Sequence, residues 1–176
     1  LTSGIDPEQT LRAKTVYDIM RTELMSGQYL DLLEQVRGQI TQERAETVIR
    51  YKSAKYTIER PLHIGSSRAV TDVKSRKSID NAYSAYGLPL GEAFQLRDDL
   101  LGVFGDPAIT GKPAGDDLRE GKRTVLVAMT LENSSPSAVT RFMSSFGSSE
   151  LKASDVEALR EIIIESGARS RVEELI

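Results

Sequence analysis

Apolar positions recur along this chain at mixed three- and four-residue spacing, the pattern of helices that each bury one face. Leu11, Met20 and Leu24, then Leu30, Leu33 and Val36, carry one such stripe to about Arg37, with Gly27 inside it. Its start is marked by Asp6-Pro7-Glu8-Gln9. Asp accepts from the free amide groups of the first turn, Pro is pre-set for the first helical position, and Gln sits three after the cap. Thr41 predicts the cap of a second helix with Ala45, Val48, Ile49 and Ala54 on one side, and Pro61 is expected to break or kink it. His63 to Val70 is small and apolar, and a charged segment from Asp72 to Asp80 leads into Ala82, Tyr83 and Tyr86. Gly87-Leu88-Pro89 punctuates, and the next helix is expected over about 89–104. Further helices are predicted over 122–131, 136–146 and 155–166, the last with a capping box at Ser154-Asp155-Val156-Glu157 and a stop at Gly167. Strand-like alternation and fixed-period repeats are absent from the sequence, so the class is all-α.

Residues 105–121 are the one long irregular stretch, with four of the 13 glycines and two of the six prolines. A loop of this length inside a compact domain usually has a function. The length, 176 residues, and the 39% hydrophobic content suit one domain. The chain starts with Leu1, shows no basic-then-apolar leader, and stops at Ile176 inside the first turns of a new helix, so it is expected to be an internal piece of a longer protein.

Composition narrows the chemistry. With 23 Lys plus Arg against 26 Asp plus Glu, the chain lacks the basic face of a dedicated nucleic-acid binder. The longest unbroken apolar run, Val125 to Met129, is far short of the roughly 20 residues that a transmembrane helix needs. The absence of Cys excludes disulfides, thiolate zinc sites and thiol nucleophiles. A single histidine, His63, makes a multi-histidine metal site impossible, and it reads as a core or pocket-lining residue. Any bound metal must be held by oxygen.

Phe94-Gln95-Leu96-Arg97-Asp98-Asp99 is the most unusual local chemistry. Two adjacent carboxylates among apolar neighbours repel one another, and Gln95, Asp98 and Asp99 share a helical face at i, i+3 and i+4. A magnesium ion suits such a face, because it takes one or two protein carboxylates and completes its octahedron with waters and phosphates. A solvated acidic patch is the plain alternative. The loop that follows carries Gly111-Lys112 and Gly121-Lys122, lysines able to reach a polyanion held by a metal on the helix. It is not a nucleotide P-loop: five residues separate Gly from Gly-Lys where four are required, and no Ser or Thr follows either Lys. Asp116 and Asp117 read as residues that cap or brace the loop.

These segments carry a resemblance. Phe94-Gln95-x-x-Asp98-Asp99, Gly105-Asp106, Gly111-Lys112-x-x-Gly115-x-Asp117 and Gly121-Lys122-x-Thr124 resemble, in order, the second aspartate-rich region of the trans-prenyl diphosphate synthases. Gly27-Gln28-Tyr29-Leu30-Asp31 and Tyr51-Lys52-Ser53-Ala54-Lys55-Tyr56 fit the same family upstream. The resemblance implies an isoprenoid-synthase-type helical bundle, of which this chain would be the C-terminal part, lacking the N-terminal helices and the C-terminal end. It also implies head-to-tail joining of isopentenyl diphosphate to an allylic diphosphate with magnesium, by a homodimer in the cytoplasm. Asp98 would ligate magnesium with Asp99 beside it. Lys52 and Lys112 would hold the allylic diphosphate, which makes Lys52, Asp98 and Lys112 the implied catalytic set. Gln95 and Lys122 would support diphosphate binding, Gln28, Asp31 and Tyr56 would line the pocket, and Phe94 would pack on the isoprenoid chain.

Two departures from the family pattern stand out. Gly102 occupies the usual place of the motif's last Asp, and the first aspartate-rich motif, with its isopentenyl diphosphate site, is not in this chain. The alternatives are a terpenoid cyclase, against which the Gly-Lys loop speaks, and a non-catalytic subunit or helical interaction module of the same fold.

Overall fold

The computed structural model describes residues 6–38, 40–111, 113 and 115–176, and every regular element among the described residues is a helix. They run in order as α1 (Pro7–Arg37), α2 (Gln42–Ile49), a π-helix (Arg50–Glu59), α3 (Arg60–Ala69), α4 (Val73–Phe104), α5 (Pro107–Thr110), α6 (Asp116–Glu120), α7 (Val125–Asn133), α8 (Pro136–Ser145), α9 (Ala153–Glu165) and α10 (Ala168–Leu175). The chain divides into two compact units, Leu1–Leu30 with Thr47–Glu92, and Asp31–Glu46 with Ala93–Ile176.

Several starts and stops lie where local chemistry puts them. Asp6 Oδ1 accepts from the Glu8 amide at 2.9 Å, and α1 ends at Arg37. Thr41, Thr124 and Ser135 accept through side-chain oxygens from the amides of Arg44, Val127 and Ala138. Gly167 takes φ 73° after α9. The cap of α9 is a correction: the helix starts at Ala153, and Asp155 accepts from the Lys152 amide at 2.9 Å, so the box is anchored on Lys152 and not on Ser154.

Both prolines expected to interrupt helices are absorbed. Pro61 stands where the π-helix passes directly into α3, with Glu59 and Arg60 both helical before it, so the helix runs on through the proline. Pro89 lies inside α4, a single 32-residue helix where the sequence predicted a break near Gly87. An internal proline costs about 3 kcal/mol. Packing within the first unit offsets it: Gly91 lies so close to the π-helix that an added Cβ would be 2.5 Å from Ala54 Cα, and Gly87 sits against Glu59.

In the first unit, α1, the π-helix, α3 and the first part of α4 bury Met20, Val48, Ile49 and Ala54. Polar groups cross-link it as well: Arg12 Nε donates to the Ser67 carbonyl at 2.9 Å. The second unit has the apolar core. Val125 to Thr130 are all buried, since α7 is apolar on every side and a helix of that kind must be surrounded. Phe142 of α8, Val156, Leu159, Ile162 and Ile163 of α9, and Ala168 and Val172 of α10 are buried in the same unit. Leu96, Leu100 and Val103 make up the buried face of the last turns of α4. The stretch 105–121 is less irregular than expected, because α5 and α6 occupy part of it, with Asp106 capping α5 and Gly115 and Gly121 in left-handed conformations around α6.

Candidate functional site

The acidic pair divides by helical geometry. Asp99 stands three residues after Leu96 and four before Val103, so the periodicity that buries those two carries Asp99 inward, to 5% exposure. Asp98, one position round the helix, is exposed. Gln95 Nε2 donates to Asp99 Oδ1 at 2.9 Å and approaches Asp98 Oδ2 at 3.5 Å, so the expected three-residue face exists. Burial pushes the Asp99 carboxyl up to about 7, partly opposed by the Gln95 hydrogen bond and reinforced by the charges of Asp117 and Asp98. The three carboxyls thus form a locality that favours added positive charge.

Lys122 supplies part of that charge. Its ammonium donates to Asp117 and lies 3.3 Å from Glu120, while its backbone amide donates to the Asp117 carbonyl at 3.0 Å. Burial pulls the Lys122 ammonium down, but its carboxylate partners outweigh that and hold it up at about 12. Asp117 is itself buried, as expected of a residue that braces the loop, and it rests against Gly102. Lys112 lies outside the described residues. Phe94 is 62% exposed on the same helix as the acidic pair. Asp31, assigned to the second unit, is half-buried.

Other candidates meet in the first unit. Gly27 has no side chain where α1 crosses the π-helix: an added Cβ would lie 2.5 Å from the Lys52 amide nitrogen. Two motif segments 24 residues apart, one carrying Gln28 and the other Lys52, are therefore in backbone contact. Lys52 is half-buried on the π-helix, Gln28 is exposed, and Tyr56 is 45% exposed. His63 is buried and hydrogen-bonded through both ring nitrogens, in line with a core role.

Sequence reasoning missed the π-helix. Ten residues in this conformation are rare, and π turns concentrate at functional sites. No local signal in Arg50–Glu59 distinguishes it from an α-helix. It also missed a part-buried polar cluster of Glu23, Lys55, Glu59 and Arg60, in which Lys55 Nζ and Arg60 donate to Glu23 at 2.6–2.7 Å. The five-residue spacing of Lys55 and Arg60 was the available signal.

The chain is similar to known proteins along most of its length. The family model described as polyprenyl synthetase matches residues 5–163. Geranylgeranyl diphosphate synthase of Saccharolobus solfataricus is 32% identical over 91% of the chain and 47% of its own length. Farnesyl pyrophosphate synthase of Homo sapiens is 33% identical over 77% of the chain and 33% of its own length. Among solved structures, geranylgeranyl pyrophosphate synthase of Corynebacterium glutamicum complexed with isoprenyl diphosphate and magnesium superposes with TM-score 0.90. It is 45% identical, with 98% of this chain and 48% of that chain covered. The chain spans about a third to a half of the length of the curated relatives it matches.

Proposed function

Because the chain belongs to the polyprenyl synthetase family, we propose that the protein carrying it joins isopentenyl diphosphate to an allylic diphosphate, giving a longer polyprenyl diphosphate. In this proposal residues 1–176 form the C-terminal portion of one larger helical domain. The observation that carries the reading is the carboxyl cluster of Asp98 and Asp99, bridged by Gln95, with the Asp117–Lys122 pair in the same unit.

Among the described residues no three His, Cys, Asp or Glu side chains converge into a ready metal cage. Magnesium does not require one, since one or two carboxylates with waters and substrate phosphates suffice. The adjacent carboxyls of Asp98, which is exposed, and Asp99, linked by Gln95, are the oxygen donors that a hard cation takes, so the residues fit. Asp98 would hold the ion, with Asp99 beside it. When bound, magnesium supplies Lewis-acid stabilisation of the diphosphate oxygens.

Breaking the allylic carbon–oxygen bond leaves a delocalised cation and places negative charge on pyrophosphate. Catalysis therefore consists of fixed positive charge held ready where that oxygen charge develops. Lys52 and Lys112 would bind the diphosphate, Lys122 and Gln95 would support it, and Phe94 would contact the isoprenoid chain. Gln28, Asp31 and Tyr56 are proposed as lining residues. The close approach of Asp117 to Gly102 supports reading the missing third Asp as a packing requirement at that position.

No described helix is long and apolar enough to cross a membrane. Homodimerisation and a cytoplasmic place of action are proposed on family grounds; sedimentation and cell fractionation test them. The activity test is incubation of the full-length protein with isopentenyl diphosphate, an allylic primer and magnesium. Extension of the primer is expected, with a loss of at least a hundredfold in D98A. Unchanged turnover in D98A would remove Asp98 from the site.

A further inference from the structure

Glu23 of α1 binds two residues of one helix that an α-helix would keep apart. Its Oε1 accepts from Lys55 Nζ at 2.7 Å and Arg60 Nη2 at 2.7 Å, and its Oε2 accepts from Arg60 Nε at 2.6 Å. Lys55 and Arg60 are five positions apart. At 3.6 residues per turn they would point roughly 140° away from each other, beyond the reach of one carboxylate. In a π-helix each turn closes on residue i+5, so the two stack on one face. The Arg60 amide donates to the Lys55 carbonyl, which closes that turn.

The surrounding groups hold the same arrangement. Lys55 also lies 3.7 Å from Glu59 and over the Tyr51 ring. Glu59 accepts from Ser84 of α4 at 2.6 Å. Arg60 Nη1 is 3.0 Å from His63 Nδ1; an arginine only donates, so Nδ1 accepts and Nε2–H donates to the Asp80 carbonyl at 3.0 Å. Glu23, Lys55 and Arg60 are each 14–17% exposed at the side chain, so the clamp is largely shielded from water.

Gly27 stands four residues after Glu23, on the same face of α1, and admits the Lys52 backbone. That face therefore contacts the π-helix at two points, a gap against Lys52 and a clamp on Lys55 and Arg60. We propose that Glu23 is a positioning residue that selects the π register of Arg50–Glu59 and thereby fixes the direction in which Lys52 is presented. The consequence for substrate rests on the reading of Lys52 as a diphosphate contact; the register itself does not. Burial pushes the Glu23 carboxyl up, but the hydrogen bonds from Arg60 and Lys55 outweigh it and hold it below the usual carboxylate range, so the clamp is charged at neutral pH.

The test uses the full-length protein with E23L, K52M and the double variant, and E23Q as a milder version of the same break should E23L not fold. A crystal structure of the Glu23 variant is expected to show Arg50–Glu59 relaxed toward α-helix; a retained π-helix overturns the inference. In E23L, kcat/KM for the allylic diphosphate should fall at least tenfold, and in the K52M background the same substitution should change it less than twofold. Equal losses in both backgrounds would mean that Glu23 does not act through Lys52, and would overturn the positioning role. If K52M alone leaves the KM for the allylic diphosphate unchanged, the diphosphate reading of Lys52 fails, while the crystal structure still decides the register.

Discussion

Gly102 and Asp117 share one space: a methyl group built on Gly102 would overlap the Asp117 carboxylate, which is buried and accepts from Lys122. A substitution as small as G102A must therefore move a buried charge. The expected loss is about 1–3 kcal/mol, typical of overpacking, read as a shift of the urea midpoint. G102D, which restores the third Asp of the family motif, should destabilise further and fail to raise magnesium-dependent turnover. A more active G102D would show that the glycine is a lost ligand and not a packing device.

Lys122 is the other half of that relationship. K122M leaves Asp117 buried without its ammonium partner, at an expected cost of about 1–3 kcal/mol, reduced by the partial exposure of Lys122. The double variant K122M/D117N should recover part of the stability, because the uncompensated charge is gone. A denaturation cycle over the four proteins measures this, and strictly additive losses would contradict it.

Asp99 makes stability depend on pH. The unfolded carboxyl titrates near 3.8 and the folded one near 7, so between those values the folded state holds the extra proton. Stability contributed by that proton is present at low pH and lost as pH rises from about 4 to about 7, by no more than about 4 kcal/mol. In metal-free protein, D99N should flatten the curve of unfolding free energy across that window and be the more stable form at pH 8. Parallel curves for the two proteins would show that Asp99 titrates normally.

Gly27 fixes the distance between α1 and the π-helix. G27A sets a Cβ against the Lys52 backbone, which cannot yield as a side chain tip can, so the helices must separate. The expected cost is about 1–3 kcal/mol. Activity at permissive temperature should also fall, more through KM for the allylic diphosphate than through kcat. Thermal melts with steady-state kinetics test both parts, and wild-type values for each would place the crossing elsewhere.

The helices of α7 to α10 were readable because their signals are local. The run Val125 to Met129 announces a helix buried all round, and Thr124 and Ser135 cap within three residues of themselves. Asp99 was legible only in part: its partnership with Gln95 follows from spacing, whereas its burial needed Leu96 and Val103 to be known as core. Asp117 read as a brace, but its contact with Gly102 spans 15 residues and has no sequence signature.

By itself the sequence determined the helical class, several helix starts, the oxygen-only metal chemistry and the ordered motifs that mark the family. Those depend on residues within a turn or two of one another, or on which residue types are present at all. Tertiary structure decided that α4 runs through Pro89, that Arg50–Glu59 is a π-helix, and which Asp of the pair is buried. Each of these sets a local preference against contacts made far along the chain, Gly91 with Ala54 or Glu23 with Arg60, and the packing free energy of such contacts exceeds the few kcal/mol that local propensity can oppose.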